Sequence, residues 1–242
     1  MKTEPTSSPQ SNQTNVRLIG FSVVLVTTQN DPSIFNPDFL RQNNIIDADL
    51  QVAEPPVSTP VFSQAIFEGG LAVKADPNRI IFEQSIDPLP LDETNVRCPE
   101  MAKRFVELFP RSPYRAVGIN PKGVRILPNE PHTQKLSDAL QDKGAWLSFK
   151  DIEPDILLKA VYRYTKRTII LDVDEARMYS GDSPAPPTST GLRFQANIHR
   201  DLLASDETGR IEELSLILSS WKEDLSDFIT LVGKFDLSRF VS

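Results

Sequence analysis

The chain of 242 residues has few of the residue types that most often identify a chemical function. It contains one cysteine, Cys98, two histidines and ten glycines. A single cysteine excludes an internal disulfide and a cysteine zinc cluster, and it fits a reducing compartment. The glycines at Gly118 and Gly123 lack the spacing and the Lys-Ser/Thr pair of a phosphate-binding loop. No catalytic signature is therefore evident, and no cofactor is predicted from these residues.

The chain also lacks basic blocks and long apolar runs. Its net charge is −7, and no cluster of lysine or arginine occurs along it. Nucleic-acid binding needs a basic surface that neutralises phosphates, so no nucleic-acid partner is expected. The longest apolar run, at 18–26, is too short to cross a bilayer and contains Gly20 and Ser22. Because the N-terminus has no apolar signal-peptide core, we expect a cytoplasmic protein without membrane contacts.

The rest of the sequence is a succession of strand, turn and helix patterns. Residues 1–15 are rich in Ser, Thr, Asn, Gln and Pro, which predicts a disordered tail. Two similar halves are predicted to follow, at 16–127 and 128–242, either as separate units or as one continuous domain. Hairpins with helices placed among them favour an α+β fold with mainly antiparallel sheet, from two similar strand–hairpin–helix halves.

Local patterns predict the individual elements of both halves. The predicted elements of the first half are a strand at 16–28, a hairpin around Gly69-Gly70, a strand at 79–84, an amphipathic helix at 99–109 and a strand at 114–120. The predicted elements of the second half are a short helix capped by Thr133, a strand at 145–149, a hairpin of 158–164 with 168–174, and an alternating strand at 192–198.

An apolar stripe dominates the C-terminal segment. Its members recur at alternating steps of three and four: Ile211, Leu214, Leu218, Trp221, Leu225, Phe228 and Val232. This spacing predicts one long amphipathic helix of about 24 residues, roughly 36 Å in length. A stripe of that length needs a matching surface, which can be the sheet, a second copy or another protein. The predicted interface residues are Leu218, Trp221, Leu225, Phe228 and Val232.

The strongest chemical candidate is the segment TIILDVDE at 168–175. Asp172 and Asp174 are two residues apart on a predicted strand, so their carboxylates share one face. Two such carboxylates can bind Mg²⁺ or Mn²⁺ through oxygen ligands. An apolar strand that ends in Asp-x-Asp resembles the metal motifs of haloacid-dehalogenase-type phosphatases and of many glycosyltransferases. Glu175-Ala176 departs from the phosphatase pattern, and solvent-facing residues at the end of a hairpin strand are the competing interpretation.

His199 is the third candidate ligand. It belongs to a strand in which apolar residues alternate with Arg193, Gln195, Asn197 and His199. If this strand lies beside 168–174, His199 comes near Asp172 and completes a mixed carboxylate–imidazole site. The solvated face of an antiparallel sheet has the same alternation and is the alternative interpretation.

Four segments carry a resemblance to a known group of proteins. They are RIIFEQ (79–84), PEMAKRFVELF (99–109), YRAVGIN (114–120) and IILDVDEA (169–176). In these segments and in the order of its elements, the chain resembles a sporadically distributed family of uncharacterised bacterial proteins. None of the four is a catalytic signature and the family has no established activity, so the resemblance bears on the fold class alone.

These observations favour a non-enzymatic cytoplasmic interaction protein, an accessory factor or subunit of a larger assembly that acts through self-association or a protein partner. The apolar stripe and the acidic composition support it. The alternative is metal-dependent phosphoryl or glycosyl transfer or hydrolysis, with Asp172 and Asp174 as Mg²⁺ or Mn²⁺ ligands and His199 as ligand or base. A second alternative is a small-ligand sensor with a cleft between the two halves.

Overall fold

A computed structural model describes residues 16–86, 95–126, 157–178 and 189–235 of the chain. The strands are β1 (Arg17–Thr27), β2 (Val57–Ser58), β3 (Ser63–Ile66), β4 (Leu71–Asp76), β5 (Arg79–Ser85), β6 (Tyr114–Ile126), β7 (Leu158–Arg163), β8 (Thr168–Met178) and β9 (Ser189–Asp201). The helices are α1 (Pro37–Gln42), α2 (Cys98–Leu108), α3 (Glu207–Ser219) and α4 (Trp221–Gly233), with 3₁₀ turns at Pro32–Ile34 and Glu68–Gly70. The predicted tail at 1–15, the helix capped by Thr133 and the strand at 145–149 lie outside the described residues.

The described strands form one antiparallel sheet in the order β2-β3-β4-β5-β1-β6-β9-β8-β7. The expected turn between β3 and β4 is present, with Gly69 and Gly70 at φ of 72° and 76°. Only residues without a Cβ adopt such angles readily, and a Cβ on Gly70 would lie 2.6 Å from the carbonyl oxygen of Ser85. The sheet and its helices confirm an α+β fold with mainly antiparallel pairing.

Helices α2, α3 and α4 cover one face of this sheet. The predicted amphipathic helix is confirmed as α2, which has Pro99 in its first turn and buries Met101 and Phe105. The ring of Phe105 lies 5.3 Å from that of Phe35 and 5.9 Å from that of Phe82 on β5, measured between centroids. Burial of these large apolar side chains is the main stabilising contribution to the core, at about 25 cal/mol per Å² of apolar surface removed from water.

The prediction of one long C-terminal helix is wrong, because the helix ends at Ser219 and a second begins at Trp221. The ψ angle of Ser220 is 13°, far from the helical value of about −42°. The hydroxyls of Ser219 and Ser220 donate back to the carbonyls of Ser215 and Ile217, and such serine contacts bend helices. Helix α3 packs on α2, and α4 packs on β6 and β9. The break at Ser220 allows both contacts, which a single straight helix could not make.

Both short helices direct the apolar stripe into the core of the chain. Leu218, Leu225, Phe228 and Val232 are at most 2% exposed. The ring of Trp221 is half-buried and meets Phe21 of β1 edge-on, with centroids 5.5 Å apart. The structure therefore places the predicted interface residues against the sheet of the same chain.

Two similar halves are not confirmed, because one sheet with one hydrophobic core extends through both predicted ranges. The strand order can be read outward from the central pair of β1 and β6. Beside β1 lie the four strands β5, β4, β3 and β2, and beside β6 lie the three strands β9, β8 and β7. The next described helix along the chain is α2 after β5 and α3 after β9.

A buried ionic cluster joins α4 to the ends of β8 and β9. Asp224 is 0% exposed and accepts two hydrogen bonds from Arg200, at 2.8 and 2.6 Å, and one from Arg167 at 3.1 Å. Arg167 also donates to Asp227, at 2.5 Å. Desolvation opposes the charge of Arg167, but Asp227 and Asp224 hold its pKa above the ordinary value. The cluster fixes the position of the first turn of α4 over the sheet.

Candidate functional site

The face of the sheet opposite α2, α3 and α4 carries all three predicted metal ligands. We call it the polar face, because along β9 it presents Arg193, Gln195 and Asn197, which are exposed. The strand alternation that predicted this face is confirmed: Phe194, Ala196 and Ile198 of β9 point to the helices and are 0% exposed. Asp172, Asp174 and His199 lie on β8 and β9 within the polar face.

The two aspartates of β8 are both paired with cationic side chains. Asp174 lies directly opposite Arg193, whose Nε donates to its Oδ1 at 2.9 Å and whose Nη2 donates to its Oδ2. This hydrogen bonding raises the pKa of Arg193. Asp172 lies opposite Lys159 of β7, with Nζ and Oδ1 3.3 Å apart. Their carboxylates share a face, as predicted, but each already has a positive partner.

His199 and Asp172 do not come together. The register places His199 opposite Thr168 and Asp172 opposite Gln195. The two residues are thus separated by four strand positions, which corresponds to roughly 13 Å. The imidazole Nε2 of His199 lies instead 3.2 Å from a carboxylate oxygen of Asp201 on the same strand. Among the described residues, no group of three or more His, Cys, Asp and Glu side chains is placed to hold a metal ion.

A second charged group at the centre of the polar face was not predicted from the sequence. Glu83 of β5 forms ion pairs with Lys74 of β4 at 2.5 Å and with Lys122 of β6 at 3.7 Å. Burial raises the pKa of Glu83, but the two lysines outweigh it and hold the pKa below the ordinary value. These residues come from three strands, and only the register of the sheet brings them together. Their alternation with apolar residues was the available signal.

The edge strand β7 and the residues beside it carry a group of exposed apolar side chains. Among the described strands it has one neighbour, β8. Four large side chains here are exposed by 36% or more: Leu157, Val161, Tyr162 and Tyr164. We call these four residues the β7 surface. Lys159 and Arg163 lie among them, and charges of this kind are common on sheet edges.

The register shows which backbone groups of β7 point outward. The N–H of Tyr164 donates to the carbonyl of Arg167 at 2.9 Å, so this pair is a hydrogen-bonded one. Bonded and non-bonded pairs alternate along an antiparallel ladder, so Ala160 and Tyr162 also bond to β8. The N–H and C=O groups of Lys159, Val161 and Arg163 therefore point away from the sheet.

Comparisons with known proteins leave the chain without an assigned family. No family model matches it, and no curated protein matches it. None of the described helices is long and apolar enough to cross a membrane.

Proposed function

We propose that the chain is a non-enzymatic interaction protein that associates through the β7 surface, either with a second copy or as a subunit of a larger assembly. The observation that carries this proposal is an edge strand with exposed aromatic and aliphatic side chains and outward-pointing backbone groups. The apolar stripe that first suggested association lies in the chain's own core, so its side chains do not support this proposal. The proposed contact lies instead on β7, at one end of the sheet order.

Strand addition at β7 has a defined physical basis. An extended segment placed beside β7 can form hydrogen bonds with the outward N–H and C=O groups of Lys159, Val161 and Arg163. Each such bond contributes about 0.5–1.5 kcal/mol net. Tyr162 is 36% and Tyr164 55% exposed, and aromatic side chains provide much of the energy of protein interfaces. A row of bonds together with buried aromatics is the usual composition of a strand-addition contact.

The direction of the backbone groups gives a sharp test. In Val161→Pro the lost N–H points outward, so the ladder between β7 and β8 keeps its bonds and the fold is retained. The added strand loses a hydrogen bond and meets the proline ring, so association is lost. Val161→Thr is the matched control, because it keeps both the N–H and the preference for a strand. Association is measured by light scattering over a concentration series and by capture of partner proteins from a lysate.

A second proline variant checks the assignment of direction. Ala160→Pro removes an N–H that bonds to β8, so it lowers the free energy of unfolding by about 1 kcal/mol or more. The proposal is contradicted when the wild-type protein stays monomeric and every protein that it captures is also captured by Val161→Pro. Equal association of wild type and Val161→Pro contradicts it as well.

A further inference from the structure

A cleft lies beside the ends of three neighbouring central strands. The strands are β1, which ends at Thr27, β6, which begins at Tyr114, and β9, which ends at Asp201. The cleft has a volume of about 440 Å³ and is lined by Thr28, Arg115, Asp201, Leu202 and Arg210, among others. Pockets of roughly 300–1,000 Å³ are the size range of small-molecule sites.

Two arginines line this cleft without a carboxylate partner in the described part of the chain. The side chain of Arg115 is exposed and makes no hydrogen bond or ion pair there. Arg210 uses one nitrogen, Nη1, to donate to the carbonyls of Ala204 and Ser205, at 3.3 and 3.0 Å. Its Nε and Nη2 donors are not used by these contacts. The third charged side chain of the cleft is Asp201, whose carboxylate lies within hydrogen-bond distance of the imidazole of His199.

The walls of the cleft are held by fixed contacts. The N–H of Leu202 donates to the carbonyl of Arg115 at 2.8 Å, and the N–H of Thr28 donates to the carbonyl of Pro113 at 3.2 Å. The carboxylate of Glu213 accepts from the N–H groups of Leu203 and Ala204, which fixes the turn that Arg210 contacts. The backbone of the cleft walls therefore does not have to be ordered by a ligand, which favours binding.

We propose that this cleft binds a small oxyanion-bearing ligand, with Arg115 and Arg210 as the charged donors and the Thr28 hydroxyl as a further donor. Guanidinium groups match the planar geometry of carboxylates and the oxygens of phosphates, and such bonds are about twice as strong as neutral ones. Arg115 and Arg210 are two positive groups among the residues that line the cleft, and Asp201 is the one negative group among them. The site is distinct from the β7 surface and does not depend on the proposed association.

The test titrates the full chain with inorganic phosphate and, separately, with acetate, at matched ionic strength and with calorimetric detection. We expect saturable binding in about the millimolar range for at least one of them, and the stronger of the two identifies the ligand class. Arg115→Gln removes one guanidinium from an exposed position and weakens binding by about tenfold or more. Arg163→Gln is the matched control, because Arg163 is also exposed but lies three strands away.

Three outcomes overturn this proposal. One is the absence of saturable binding of either anion to the wild-type protein. Another is unchanged binding in both Arg115→Gln and Thr28→Val, which means that the anion sits elsewhere. The third is an equal loss in Arg163→Gln, which identifies a general effect of net charge.

Discussion

Replacement of Asp224 by asparagine tests how much the buried ionic cluster contributes to stability. Asparagine has almost the same volume, so no cavity forms and the change removes only the negative charge and one acceptor. Three charge-assisted hydrogen bonds reach Asp224, at 2.6, 2.8 and 3.1 Å. Loss of the negative charge leaves Arg200, whose side chain is 13% exposed, without a counter-charge.

The expected cost of this change follows from the burial of the partners. Removing one member of a buried ion pair costs about 3–5 kcal/mol, because the other charge remains desolvated. Arg167 keeps Asp227 and is 25% exposed, so we expect the lower end, about 3 kcal/mol. With a urea dependence of about 2 kcal/mol per molar, the unfolding midpoint falls by roughly 1–2 M.

Two further variants separate charge from packing in this measurement. Asp227→Asn removes a carboxylate that is 46% exposed, so it costs less than about 1 kcal/mol. The double variant Asp224→Leu with Arg200→Met replaces the pair by apolar groups and is expected to lie close to wild type. Urea unfolding followed by circular dichroism gives all three values. A loss of less than about 1 kcal/mol in Asp224→Asn, or an equal loss in Asp227→Asn, refutes the reasoning.

Two other predictions concern the polar face. The lysines hold the pKa of Glu83 below 4.5 in the folded chain. The stability that its charged carboxylate contributes is therefore complete above the unfolded pKa and is lost as pH falls through the folded pKa. Glu83→Gln is therefore less stable than wild type by a constant amount down to about pH 5, and the difference shrinks below it; a difference that grows in acid contradicts the assignment. Millimolar Mg²⁺ or Mn²⁺ leaves the melting temperature unchanged, because Asp172 and Asp174 are paired with Lys159 and Arg193; a rise that Asp172→Ala removes supports a metal site instead.

The elements that the sequence predicted well are those with a strong local pattern. The amphipathic spacing around Phe105 and the alternation around Phe194 both depend on residues close together in the chain, and both elements are present. The break at Ser220 was missed because the apolar stripe continues through it with unchanged spacing. Periodicity reports which residues face the core, and it does not report whether one helix or two carry them.

The candidate site was less predictable because it depends on register. Whether His199 faces Asp172 or Thr168 is decided by a shift of four positions between β8 and β9, and nothing in either strand alone specifies that shift. The same holds for Glu83 of β5. It meets Lys122 of β6 only because both strands pair with β1, one on each side of it. Pairs that form across distant strands cannot be obtained from local patterns.

The central pairing of β1 with β6 has a consequence for how the chain folds during synthesis. Their paired residues, from Arg17 with Val124 to Thr27 with Tyr114, are about 100 residues apart in the sequence. At roughly 10 residues per second, the ribosome takes about ten seconds to add β6 after β1. During that interval β5 can cover one edge of β1, while the other edge presents an unpaired apolar strand of 11 residues. We therefore expect nascent chains to be more prone to aggregation before β6 emerges than after it.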